Sequence, residues 1–91
     1  MAAIAIGDCT VTTVSAMAGA MLMSVVTPAT ADQADTVDIS TVCGTLFYGI
    51  RVQNATDGNL DASLTAAGVV TLPSGGTDNE ARTIYVLCAG I

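Results

Sequence analysis

The sequence predicts an all-β protein, a small single-domain sandwich or barrel of about six to eight short strands with room for one short helix. Three observations carry this expectation. Short β-branched or alternating runs recur along the chain, as strands require. Turn-forming clusters separate them at intervals of ~8–12 residues. The last run, Ala81 to Ala89, is apolar on both faces, with Ile84, Val86 and Cys88 on one and Tyr85 and Leu87 on the other. A strand of that kind is central to a two-layer core or pressed against a partner. No linker, charge block or internal repeat divides the 91 residues, so one domain over 1–91 is expected.

Taken in order, Thr10-Val11-Thr12-Thr13-Val14 is rich in β-branched residues and reads as a strand. Met21 to Thr27 continues as a second strand after Gly19. A helix through Ala16–Met23 competes, because Ala, Met and Leu are good helix formers, and periodicity does not separate the two. Ala29 to Asp35 is a polar, acidic loop. Thr36 to Ser40 alternates, with Val37 and Ile39 on one face. Ser40 or Thr41 can cap one helical turn running to Gly44. Leu46 to Asn54 reads as a strand with Tyr48, Ile50 and Val52 inward and Arg51 and Gln53 outward. Asn54 to Asn59 is a turn cluster, Leu60–Ala66 and Val69–Leu72 are short strands joined through Ala67-Gly68, and Pro73 to Asn79 is a glycine-rich loop. Gly44 and Gly49 flank the aromatic pair Phe47-Tyr48 and mark bends or close strand contacts.

The stretch from Thr10 to Ala31 holds no charge and is long enough to cross a bilayer, which needs ~20 mostly apolar residues. It also ends in Ala29-Thr30-Ala31, the small-residue pattern of a signal-peptide cleavage site. Several Thr and Ser residues dilute the run, Pro28 breaks it, and no basic anchors flank it. The region before it carries Asp8 and no Lys or Arg, the reverse of a secretory leader. Two extended segments are therefore expected here, with residues 1–30 an apolar N-terminal segment engaged in assembly contacts.

Composition narrows the function. Apolar residues make up 52% of the chain and charged residues 11%, against ~25% charged in ordinary soluble domains. So few charges coat a free domain sparsely, which points to a surface covered by neighbouring copies or another protein. The net charge of −6, with Arg51 and Arg82 the only basic residues, argues against nucleic acid, whose recognition needs clustered Lys and Arg. The absence of His and Lys removes the common general bases and Schiff-base nucleophiles, and nothing places a carboxylate pair, so no enzymatic activity and no small-molecule substrate are expected.

The three cysteines, Cys9, Cys43 and Cys88, are odd in number and lack metal-clip spacing, so they read as small buried hydrophobes. Asp57-x-Asn59-x-Asp61 has the spacing of a calcium loop's first ligands but lacks the rest of that motif, and turn preferences explain it. Asp32, Asp35 and Asp38 read as a solvated acidic loop, with an ion bridging copies as the competing reading. Asn54-Ala55-Thr56 matches the glycosylation triplet. Neither a cofactor nor a metal is expected. Met17, Met21 and Met23 suit either core packing or an adaptable contact surface.

Four stretches in order, Ala31-Asp32 with Asp35 to Ser40, then Gly49 to Gly58, Val70 to Gly75 and Asn79 to Arg82, resemble small proteins encoded among the head genes of tailed bacteriophages. The resemblance covers about the last sixty residues, excludes the first thirty, and brings no catalytic or ligand signature with it. It implies a virion component on the capsid surface, of the decoration, cement or head-fibre type. Such subunits are β-rich and act as homo-oligomers, trimers for example, bound to a major capsid protein. The residues expected to carry assembly are Met21, Met23, Phe47, Tyr85 and Leu87. The alternative is a small membrane-associated or filament-forming protein with residues 10–26 as an apolar helix.

Overall fold

The structure is a computed structural model that describes residues 3–32, 34–44, 46–54, 58–60, 63–64, 68–72 and 79–89. Among them the strands are β1 (Ala3–Ile4), β2 (Thr10–Met17), β3 (Ala20–Val26), β4 (Thr36–Asp38), β5 (Phe47–Asn54), β6 (Gly58–Leu60), β7 (Ser63–Leu64), β8 (Val69–Thr71) and β9 (Arg82–Cys88). One helical turn, α1 (Ser40–Cys43), and a 3-10 turn at Ile6–Asp8 accompany them. The strands form two sheets, ordered β1-β4-β8-β7 and β2-β3-β9-β5-β6. The fold is all-β, as the sequence predicts. The two shortest strands raise the number above expectation. Of these, β1 follows from the Ala3-Ile4-Ala5-Ile6 alternation, too short to be read as a strand until β4 pairs with it in parallel.

The apolar front of the chain is a hairpin. β2 and β3 pair antiparallel from Thr10↔Val26 to Met17↔Ala20. Gly19, at φ +80, supplies the left-handed residue that the two-residue turn demands. The helix competing for residues 16–23 loses because the β3 ladder to β9, Met21↔Cys88 through Val26↔Thr83, satisfies the backbone while sending Met23 and Val25 into the core. The register slips between Thr13 and Ser15, a bulge at Val14, and the Thr13 hydroxyl donates to the Met23 sulfur at 3.4 Å beside it. Among the described residues no helix is long and apolar enough to cross a membrane.

β9 lies at the centre of the five-stranded sheet, between β3 and β5. Its alternation is strict: Arg82, Ile84, Val86 and Cys88 are buried, while Tyr85 and Leu87 face out. From the other sheet Val37 and Val70 join Met23, Val25, Val52, Ile84 and Val86, with Ala31, Ile39, Cys43 and Leu72 contributed by the connections. One core therefore sits between the two sheets, built mostly of Val and Ile, each contributing on the order of 1.5–3 kcal/mol through burial.

Three expectations change. Tyr48 is 56% exposed rather than inward. The β5–β9 register slips between Phe47 and Gly49, so Tyr48 is the extra residue of a bulge and Phe47 takes the core-side position. The strand expected over Leu60–Ala66 is divided, with β6 pairing β5 in one sheet and β7 pairing β8 in the other. The two pieces therefore belong to different sheets. The acidic loop is not uniformly solvated, because Asp35 is buried and its Oδ2 accepts from the Asp32 amide at 2.9 Å.

Arg82 is the largest fully buried side chain among the described residues. Its Nη1 donates to the carbonyls of Ala31 at 2.9 Å and Glu80 at 3.0 Å. Its backbone exchanges bonds with Thr27: the Arg82 amide donates to Thr27 Oγ1 at 2.8 Å, and the Thr27 amide donates to the Arg82 carbonyl at 2.8 Å. This polar knot fastens Thr27 and Ala31, which follow β3, to the start of the central strand.

The cap of α1 also differs from expectation. Ser40 does not cap with its own side chain; Asp38 Oδ1 accepts from the Ser40 amide at 3.0 Å and from its hydroxyl at 2.6 Å. These bonds hold the Asp38 carboxyl below its ordinary pKa, the side-chain bond first and the backbone bond second. Gly44, at φ +71, ends the turn, which fits the bend expected there.

Cys43 closes α1, Cys88 closes β9, and both are fully buried. Burial first, and then the neighbouring Cys88, push the Cys43 thiol from 9.0 up to about 12. The folded state therefore holds this proton more tightly than the unfolded chain. The corresponding stability is whole below pH 9.0 and is lost as the pH climbs toward 12. The urea midpoint is expected to fall across that window, and to fall less in a Cys43→Ala variant. Parallel curves for the two proteins would show that the thiol adds nothing to alkaline unfolding.

Candidate assembly surface

Antiparallel partners point to the same side of a sheet, so the ladders define the outward face of the five-stranded sheet in rows. Met17 stands opposite Ala20. Ser15, Leu22, Leu87 and Gly49 form the next row, followed by Thr12, Ser24, Tyr85 and Arg51, and then by Thr10, Val26, Thr83 and Gln53. The end near the β2–β3 turn is apolar, and the opposite end is Thr-rich.

A shallow groove of ≈ 290 Å³ runs along the apolar rows, lined by Ser15, Met17, Ala20, Leu22 and Leu87. Met17 is 70% exposed, Leu87 40% and Tyr85 37%. Gly49 leaves the Leu87 flank open, since a Cβ there would meet nothing within 4 Å. Gly49 makes no close strand contact, and the register shift of β5 lies just before it. Tyr48 is exposed, and its hydroxyl donates to the Gly19 carbonyl at 3.2 Å.

The charge pattern of this face is one-sided. No residue of β2, β3, β5 or β9 is acidic, although the chain carries a net charge of −6. Arg51 is exposed on it and Arg82 is buried behind it. β2 is also an edge strand of eight residues without a charge, and its bulge at Val14 is the feature that interrupts the edge.

Of the five residues expected to carry assembly, the structure brings Tyr85 and Leu87 onto this outward face. It places Met23 in the core, and Met21 and Phe47 packed partly buried against it. Met17 and Leu22 take their places in the groove. Leu22 lies between two methionines of opposite facing, so its side was legible only once the hairpin register was known. Asp57 and Asp61 of the Asp57-x-Asn59-x-Asp61 spacing, most of the Asn54-Ala55-Thr56 triplet and most of the glycine-rich loop lie outside the described residues. Among the described residues no group of three or more metal-ligating side chains comes together. No protein-family model, curated protein or solved structure matches the chain.

Proposed function

We propose that the protein is a structural subunit of a virion, a decoration or cement-type protein that stabilises a phage head by binding as an oligomer. Its partners in this reading are copies of itself and a major capsid protein at the capsid surface. One observation carries the reading: an outward face that is apolar at its β2–β3 turn end and has no carboxylate on β2, β3, β5 or β9, on a chain that is otherwise acidic. Contact through that face removes apolar area from water and brings few like charges together, while the acidic remainder keeps free copies apart. A cement protein needs no reaction chemistry. It needs burial repeated over many attached copies, which multiplies a modest affinity. The resemblance of the last sixty residues to phage head-gene products gives the reading its biological setting.

Light scattering behind a sizing column is the test. The wild-type chain is expected to elute as a discrete oligomer, and Leu87→Asp to weaken self-association by at least ~100-fold, because the new carboxylate loses its hydration in the contact. Tyr85→Glu should act in the same direction. Both variants should keep thermal midpoints within a few degrees of wild type, since both side chains stand outside the core. A wild-type chain that stays monomeric and does not sediment with capsids would sink the proposal. Variants that unfold instead of dissociating would assign the two residues to the fold.

A further inference from the structure

The two buried cysteines do nothing in the reading above, yet the fold brings them together. Cys43 ends the helical turn that connects the four-stranded sheet to the five-stranded one, and Cys88 ends the central strand of the latter. The backbone sets up this meeting. Phe47 stands opposite Cys88 in the β5–β9 ladder, and the Ala89 amide donates to the Leu46 carbonyl at 3.0 Å. Leu46, three residues beyond Cys43, is thereby held against the end of β9. Both side chains are fully buried in the same core cluster, close enough for Cys88 to raise the pKa of Cys43. Cys9 lies elsewhere, partly exposed after the 3-10 turn, with its Sγ donating to the Ala5 carbonyl at 3.7 Å.

We propose that Cys43 and Cys88 form an intramolecular disulfide that locks the two sheets together when the protein meets an oxidising medium, leaving Cys9 as a free thiol. The oxidant is a small-molecule disulfide of the glutathione class. One protein thiolate attacks a sulfur of that disulfide, forming a mixed disulfide and expelling one small thiolate. The second protein thiolate then attacks the protein sulfur, forming the Sγ–Sγ bond and expelling the other. Two S–H bonds are broken, their protons end on the two departing thiols, and two electrons pass to the reagent.

Burial and the high pKa of Cys43 make the fully folded protein slow to react, so exchange proceeds through local opening of α1 or the end of β9. Once formed, the bond closes a loop of about half the chain. Loops of that length gain most from a cross-link in the chain-entropy account. An apolar, thinly charged subunit would in this way be reduced and adaptable while it folds, and rigid after it enters an oxidising medium.

The test uses the full chain, equilibrated at pH 8 in a buffer of oxidised and reduced glutathione. It is run from both directions, starting folded and starting from urea, so that slow access cannot hide the outcome. Remaining thiols are blocked with an alkylating reagent, and the mass is read before and after proteolysis. The expected result is a single alkyl group on Cys9, a linked pair of peptides containing Cys43 and Cys88, and a thermal midpoint raised by at least ~10 °C over the reduced protein. A Cys9→Ser variant should oxidise equally and take no alkyl group, and Cys43→Ser should abolish the midpoint shift. Three alkyl groups after equilibration from both directions, a link that includes Cys9 or joins two chains, or a lower midpoint on oxidation would each overturn the proposal.

Discussion

Replacing Arg82 with alanine is expected to cost about 3–5 kcal/mol, enough to leave a chain of this size barely folded at room temperature. The side chain is fully buried, and its Nη1 serves two carbonyls, Ala31 and Glu80, that belong to different loops. Alanine leaves those carbonyls without this donor and opens a cavity in a core otherwise filled by small aliphatic side chains. Arg82→Lys keeps the charge but replaces a planar fork with a single ammonium on a flexible stem, so at least ~2 kcal/mol should still be lost. Urea titration followed by circular dichroism measures both changes. A loss below ~1 kcal/mol in Arg82→Ala would mean that the inter-sheet loop holds its place without this residue.

The second large effect is expected at Gly68. Its φ of +84 lies in the left-handed region, and a Cβ there would sit 3.0 Å from Ser40 Cβ and 3.2 Å from both the Gly44 carbonyl oxygen and Ser40 Cα. Its own carbonyl accepts from the Ile39 amide at 2.9 Å, so the segment cannot easily withdraw. Gly68→Ala combines backbone strain of ~1–2 kcal/mol with a clash against α1, for about 2–3 kcal/mol in all. Gly68→Val adds a branched side chain to the same crowded place and should cost about 4 kcal/mol. Gly19 is the internal control. It has nearly the same φ, +80, but a Cβ there would meet nothing within 4 Å. Gly19→Ala should therefore show only the conformational cost of ~1–2 kcal/mol. Equal losses at the two positions in thermal unfolding would show that crowding against α1 plays no part.

The candidate surface was half legible in the sequence. Tyr85 and Leu87 could be placed on one side of the last strand because a strand's side chains alternate, and the alternation there is unbroken. By composition Met21 and Met23 suit either core packing or a contact surface, and the β3–β9 register sends them to the core side. Arg82 shares the parity of Ile84 and Val86, so its inward direction was written in the pattern. A charge at such a position is nonetheless ordinarily rejected, and its carbonyl partners come from loops remote in sequence.

What the sequence determined by itself is the class of the protein and most of its strands. Period-two alternation, β-branched residues and turn chemistry are local properties, and they survive whatever the chain packs against. It also determined that this is an acidic, thinly charged chain without His or Lys. The tertiary structure decided everything that depends on register and on which layer a strand joins: the helix-or-strand choice over residues 16–23, the bulge that leaves Tyr48 exposed, the assignment of β6 and β7 to different sheets, and the burial of Cys43 and Cys88 in one core. A one-residue slip in pairing exchanges the two faces of a strand, and such slips are fixed by contacts between residues far apart in the chain.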